Sequence, residues 1–297
     1  DFTADFVIDK LNKRGIEYYR FNCEDIDKQP YSFKSNNRFS FELDKIKPIY
    51  SIWFRRTKLP DLEMENHFEK LYLLGDYDSL LENIYLGLNP KKWLSEPKYV
   101  YQSENKLYQL KIAQSIGFNI PDTLVTSQHI MLKIFIEKHN QNVIVKPLRQ
   151  GRIKYDNEFK TIFTNKLSLN LIEHIEEYTL TPSIFQEYIN KEYELRVTVV
   201  GEKVFAAKVD SQKLDETKID WRKHKTPFQK YSLPNEISDK CVQLTRQLNL
   251  SFGAIDIIKN MEGQYIFLEI NPNGQWAWLE MEAGLKISDE IINYLTQ

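Results

Sequence analysis

The chain has 297 residues, 42% of them hydrophobic and 28% charged, which suits a protein with more than one core, since single cores stop growing near this length. Its 40 basic and 42 acidic residues are well mixed and leave a net charge of −2, so the broad basic footprint of a nucleic-acid binder is missing. Cys23 and Cys241 are the only cysteines; they exclude a disulfide framework and a cysteine-based metal cluster and fit a reducing cytoplasm, while no apolar run approaches the length of a membrane span.

The first residues, DFTADFVIDKL, read as a charged amphipathic helix over 4–14 rather than a signal peptide. The chain opens on this helix without Met, where an α/β domain would begin with a strand, so part of the natural N-terminus is expected to lie outside this sequence. EYYRFN reads as a strand, RFSFEL alternates, and KPIYSIWFRR is an apolar strand ending in Arg55 and Arg56. Those arginines are a candidate anion grip or a structural pair, because ligands of open α/β sheets gather at strand carboxyl ends. A helix over 66–88 follows, and WLSEPKYVYQSENKL makes a boundary. The expectation is an open α/β domain over 1–103.

From 104 to 188 we expect a smaller α+β unit. It holds a helix at 104–117 stopped by Gly117, a helix at 127–139, the strand NVIVKPL, a polar loop with strands, a helix at 168–178 and the strand SIFQEYI. A third unit over 189–297 begins with the hairpin YELRVTVVGEKVFAAKV, turning at Gly201-Glu202. A charged loop, a helix at 235–248, a second hairpin and a closing helix complete it.

The second hairpin carries the clearest chemistry. Phe252 to Ile258 and Gln264 to Ile270 flank a turn at Asn260 to Gly263, yet these apolar strands hold Asp256, Glu269 and Asn271. A four-residue loop places Asp256 opposite Phe267, and two-residue periodicity puts Glu269 and Asn271 on the same face. Two half-buried carboxylates repel unless a cation sits between them. Oxygen ligands without His or Cys suit Mg²⁺.

Glycine-rich phosphate motifs are absent. Lys146 ends an apolar strand, where its ammonium can meet a phosphate. Arg149, Gly151, Arg152 and Lys154 follow in RQGRIKYD, able to close over phosphates, and Lys106 opens the preceding helix. Glu187 ends the strand SIFQEYI and Glu194 lies beyond it, placed to accept from adenine and ribose. The histidines show no metal spacing.

In this order, these features resemble the ATP-grasp fold over residues 104–275. SIWFRR, the run NPKKWLSEPKYVYQSENKLYQLKIAQSIGFNIPDTLVT, ELRVTVVGEKVFAAKVDSQ, IDWRKH and EINPNGQWAWLE resemble more closely the graspetide maturases, the microviridin-type peptide macrocyclases. The resemblance implies an α/β (α+β) ATP-grasp fold behind an N-terminal pre-ATP-grasp domain, with ATP and two Mg²⁺ ions. It implies that Lys106 and Lys146 hold phosphates, with Gly151 in the loop that closes over them, that Glu187 and the backbone of Gln186, Tyr188 and Ile189 take adenine, and that Glu194 takes the ribose. Asp256, Glu269 and Asn271 would carry the metal, and Arg196, Lys208 and Arg222 would face the acceptor carboxylate or the transferring phosphoryl group. The loop after Lys146 departs from the common pattern, with one glycine where many ATP-grasp proteins carry several. The partner implied is a ribosomal precursor peptide, leader plus core, the leader docking near Glu173, Glu176, Glu177 and the 196–209 hairpin; dimers are common in that family. Neither nucleic acid nor membrane is expected as a partner.

Making an ester or amide from a carboxylate requires prior activation, which ATP supplies as an acyl phosphate. Positioning and charge neutralisation carry that step without an enzyme nucleophile, in keeping with a chain that has no GxSxG. The rival readings are a ligase adding free amino acids to a carboxylate and a nucleotide-binding regulatory or scaffold protein without turnover.

Overall fold

A computed structural model of the chain describes residues 1–35, 39–43, 49–149, 152–155 and 158–297. The chain divides into two compact units: residues 1–98 together with 288–297, and residues 99–287.

The first unit begins with α1 (Phe2–Lys13), capped by the Asp1 side chain on the Thr3 N–H at 3.0 Å. The hairpin of β1 (Tyr31–Ser35) and β2 (Phe39–Leu43) follows, then β3 (Ser51–Trp53), which pairs in parallel with β4 (Lys92–Leu94). Between β3 and β4 runs α2 (His67–Gly87), started by Asn66, whose side chain accepts from the Phe68 and Glu69 N–H groups. The strand expected at EYYRFN does not form. That run lacks two-residue alternation and leaves Tyr18 and Tyr19 exposed; a short 3₁₀ helix, Cys23–Lys28, comes after it. Arg55 donates to Asp1 at 2.8 Å, which makes it a structural pair of this unit. The last ten residues, expected with the C-terminal lobe, also belong here: Asp289 pairs with Lys10 at 3.2 Å and with Arg14 at 2.5 Å.

Two antiparallel sheets build the second unit. After α3 (Pro97–Ser103) and α4 (Lys106–Ser115) come β5 (Thr123–Leu124), α5 (His129–Lys138) and β6 (Val143–Pro147). The hairpin of β7 (Arg152–Tyr155) and β8 (Glu158–Thr161) is followed by β9 (Asn165–Lys166), α6 (Leu169–Glu173) and β10 (Ser183–Glu187). The smaller sheet runs β5-β10-β6-β9. Leu132, Phe135 and Ile136 of α5 pack against Val143 and Phe185 to make its core.

The larger sheet contains β11 (Lys191–Val200), β12 (Lys203–Val209), β13 (Phe228–Tyr231), β14 (Phe252–Asn260) and β15 (Tyr265–Asn271), in the order β13-β12-β11-β14-β15. Gly201 supplies the positive φ of the β11–β12 turn and Gly263 that of the β14–β15 turn. Side chains alternate across this sheet. Leu195, Val197, Val199, Ile255, Ile257 and Phe267 are buried on one face. On that face packs the amphipathic α7 (Asn235–Gln247), with Ile237, Cys241 and Leu244 turned inward. The other face carries Glu194, Arg196, Asp256 and Glu269. Beyond β15 lie α8 (Ala277–Ala283) and α9 (Ile287–Thr296).

Candidate active site

A cleft of about 260 Å³ opens in the second unit. It is lined by the ends of β6 and β10 from the smaller sheet, by β14 and β15 from the larger, by the start of α4 and by the segment 219–222. Lys106, Lys146, Gln186, Glu187, Tyr188, Ile189, Glu194, Arg222, Asp256, Glu269 and Asn271, all expected at the site, line this one cleft. Gly151 lies outside the described residues.

The hairpin register differs from the expected one. Ile257 and Ile258 pair with Phe267 and Ile266, but a β-bulge at Leu268 shifts the ladder, so Asp256 pairs directly with Glu269 and Ala254 with Asn271. The carboxylates are thus closer neighbours than loop length alone implied. Asn271 Oδ1 accepts from the Asn273 N–H at 3.0 Å, which fixes its amide at the start of the NPNG turn. Among the described residues no cluster of three His, Cys, Asp or Glu forms a metal site. Two carboxylates and one amide are instead the kind of sparse oxygen set that suits an ion completing its octahedron with phosphates and water.

The hairpin's own Lys259 lies over the Tyr193 and Tyr265 rings, and the cations that meet the carboxylates come from other elements. Arg196, opposite Asp256 on β11, donates from Nη1 to both Asp256 oxygens at 2.9 and 2.8 Å. Lys106 Nζ lies 3.6 Å from Glu269 Oε2 and donates to the Pro147 carbonyl at 3.1 Å. Burial opposes ionisation of Glu269, but Lys106, Lys146, Arg222 and Arg196 outweigh it and hold the carboxyl below its usual range. At Asp256 burial wins over Arg196, and the facing Glu269 adds to it, so that carboxyl is pushed up. Lys146 is 9% exposed, and its ammonium makes no ion pair among the described residues. Burial, with Lys106 and Arg222 nearby and Glu269 opposing, brings its pKa down to about 8.

Arg222 is clamped by Asp220, whose oxygens accept from Nε at 2.8 Å and Nη2 at 2.6 Å. Burial resists the charge on Asp220, yet Arg222 and backbone donors hold its carboxyl below the usual range. Lys208 does not reach the cleft. Arg196 pairs with Ala207, so Lys208 falls on the opposite face of the sheet, over the Tyr193 ring at 4.3 Å and 2.9 Å from Asp210. Glu187 lines the cleft, but its carboxylate is engaged elsewhere: Oε1 accepts from the Asp122 N–H at 2.9 Å and Oε2 lies 3.7 Å from His139. Glu194 is buried against Lys191 at 2.8 Å, and burial raises its carboxyl despite that partner.

Three contributors escaped the sequence reading. Lys191 appears in the run NKEYEL as one more strand-edge lysine, yet it is 6% exposed and holds both Glu194 and the Ile219 carbonyl. Asp220 sits inside IDWR, whose spacing permits the side chain to accept from the Arg222 N–H at 3.1 Å, and this was the available signal. Gln109 lies inside a helix, where nothing in the sequence separates it from a surface polar residue.

A family model for the RimK-like ATP-grasp domain matches residues 103–295. The chain belongs to the RimK-like ATP-grasp family. A RiPP-associated ATP-grasp ligase of Chryseobacterium gregarium, solved with ADP and a leader and core peptide, is 29% identical, with 99% of this chain and 92% of that one covered at a TM-score of 0.88. The macrocyclase MdnC of Microcystis aeruginosa MRC, bound with precursor peptide MdnA, is 28% identical over 99% and 96% of the two chains, TM-score 0.86. The macrocyclase MdnB of the same organism is 26% identical over 99% and 95%, TM-score 0.81. No curated protein matches the chain.

The matching family is one of ATP-grasp domains, and the residues of the cleft fit ATP with Mg²⁺. Thr123 Oγ1 gives its proton to the Pro121 carbonyl at 2.8 Å and so accepts from Gln186 Nε2 at 2.9 Å. This leaves Gln186 Oε1 buried in the cleft wall without a partner among the described residues, an acceptor suited to an exocyclic amine. With Asp256 held by Arg196, Lys106 and Lys146 both act on Glu269, a local excess of positive charge that suits a polyphosphate.

Gly274 permits a close approach: a Cβ there would lie 2.3 Å from Ala254 Cβ and 2.8 Å from Arg196 Nη2. Gly274→Ala should therefore displace Arg196 and the NPNG turn, cutting kcat by roughly tenfold or more while costing about 1–3 kcal/mol of stability in urea unfolding. Lys146 is neutral in part near pH 8 and above, so a phosphate meeting its ammonium would hold it protonated and make ADP binding take up protons. Calorimetry at fixed Mg²⁺ in buffers of differing ionisation enthalpy should record uptake at pH 9, little at pH 7, and falling affinity between them.

Proposed function

We propose that this protein is a peptide macrocyclase that activates Asp or Glu side chains of a ribosomal precursor peptide with ATP. A Thr, Ser or Lys side chain of the same peptide then closes an ester or amide ring. The observation carrying this reading is the cleft in which Lys106 and Lys146 face the Asp256–Glu269 pair while Arg222 stands at the margin, its side chain 47% exposed. The relatives solved with leader, core or precursor peptides, alike over 99% of this chain, support a peptide as the substrate.

Each residue has a role that follows from its surroundings. Lys106 and Lys146 hold the phosphates, and Glu194, braced by Lys191, accepts from the ribose. The hinge from Gln186 to Ile189 takes adenine through the Gln186 amide and the backbone, and the Glu187 carboxylate ties that hinge to Asp122. Asp256, Glu269 and Asn271 hold Mg²⁺, which when bound neutralises phosphate charge. Arg196 and Arg222 face the acceptor carboxylate. Arg222 spends the N–H of Nε and one of Nη2 on Asp220, which leaves its three other N–H groups as donors. An in-line attack by the peptide carboxylate on the γ-phosphoryl group breaks its bond to the bridging oxygen, releases ADP and gives an acyl phosphate. The second side chain then attacks the acyl carbon and expels phosphate. No Cys, His or Ser is among the described residues lining the cleft, in keeping with chemistry that needs no enzyme nucleophile. Two free, buried cysteines support a cytoplasmic setting, and no helix among the described residues is long and apolar enough to cross a membrane.

Incubation with ATP, Mg²⁺ and a precursor peptide encoded beside the gene should yield a product lighter by one water per ring. A product heavier by an amino-acid residue would instead identify the free amino acid ligase. Asp256→Asn and Glu269→Gln should remain folded and lose turnover, and full activity in either would contradict the metal assignment.

A further inference from the structure

β15 is the edge strand of the larger sheet, and an edge strand presents N–H and C=O groups that no neighbouring strand pairs. At Ile270, which is buried, water cannot take their place. The side chain of Gln109 does so. Its Oε1 accepts from the Ile270 N–H at 3.0 Å and its Nε2 donates to the Ile270 carbonyl at 2.8 Å. The second Nε2 proton goes to the Ser103 carbonyl at 2.6 Å, so the amide orientation is fixed by three partners. Gln109 acts as the peptide group of a strand that is not there.

The site of this contact matters. Ile270 stands between Glu269 and Asn271, and the bulge at Leu268 lies just before them. On the far side of the bulge the Phe267 N–H donates to the Asn119 carbonyl at 2.8 Å. The segment that turns Glu269 into the cleft is therefore pinned at both ends from outside the sheet. Gln109 also sits one turn after Lys106 on α4, so a single helix sets the ammonium and the backbone of the carboxylate it faces.

We propose that Gln109 is a positioning residue for the metal site, holding Glu269 and Asn271 at their coordinating spacing through the backbone of Ile270. The inference rests on the reading of Asp256, Glu269 and Asn271 as metal ligands. A buried donor–acceptor pair of this reach is peculiar to Gln: Met fills the volume without either bond, and Asn keeps the amide one methylene short.

The test is Mn²⁺ binding to the enzyme–ADP complex, read as loss of the free Mn²⁺ electron paramagnetic resonance signal. Gln109→Met should raise the Mn²⁺ Kd about tenfold, and the Mn²⁺ needed for half-maximal turnover by a similar factor. Leu244→Ala, which empties core volume on the opposite face of the same sheet, should lower Tm yet leave the Mn²⁺ Kd at the wild-type value. A Gln109→Met Kd within about twofold of wild type, or an equal loosening by Leu244→Ala, overturns the proposal. If Gln109→Met does not fold, Gln109→Asn is judged by the same criteria. Glu269→Gln separates the two readings. If it leaves Mn²⁺ affinity unchanged, or wild type with ADP binds no Mn²⁺, the metal assignment fails and this inference with it; if it abolishes binding while Gln109 variants do not, only the positioning role fails.

Discussion

Two carboxylates face each other across adjacent strands, and the rest of the site is arranged around that fact. Directly opposed side chains in an antiparallel pair stand about 5 Å apart, and at an effective dielectric near 20 two charges at that distance repel by about 3 kcal/mol. Asp256 and Glu269 occupy such a pair inside a cleft. Arg196 answers Asp256 from the next strand and Lys106 answers Glu269 from a helix, while Lys146 stands nearby without an ion pair of its own among the described residues. The acids at the margin are matched locally, Asp220 by Arg222 and Glu194 by Lys191. What remains is an excess of cation beside Glu269, which a polyphosphate neutralises.

The architecture explains why these groups can be held so close. Face alternation in the larger sheet sends apolar residues to α7 and polar ones to the cleft, so β11, β14 and β15 each contribute a charged residue to one patch. Gly274 lets the NPNG turn press against Ala254 and Arg196. The cations come from segments far apart in the chain, because the hairpin's own Lys259 is turned to the Tyr193 and Tyr265 rings.

Much of this was legible in the sequence, because the signals were local. Asp256, Glu269 and Asn271 broke an otherwise apolar alternation, and the order of VIVKP, FQEYI and the acidic hairpin resembled one fold. What failed was nonlocal or fell on a single residue of register. The bulge at Leu268 leaves no mark in loop length, so Asp256 was set opposite Phe267 instead of Glu269. Lys208 was grouped with Arg196 because both lie in one basic hairpin, yet the ladder puts them on opposite faces. The Glu187 carboxylate turns to a backbone N–H brought near only by folding. Gln109 could not be told from a surface residue until the edge of β15 came to lie against it.

The account's central claim is that the nucleotide and the divalent ion meet in this cleft through the β14–β15 carboxylates. Calorimetric titration of ADP into the wild-type protein and Asp256→Asn, each with and without Mg²⁺, tests it most directly. The account predicts that Mg²⁺ tightens ADP binding to wild type by roughly tenfold or more, worth about 1.4 kcal/mol for each factor of ten, and that the gain vanishes in the variant. Equal ADP affinity in wild type with and without the ion, or an undiminished gain in Asp256→Asn, would contradict it.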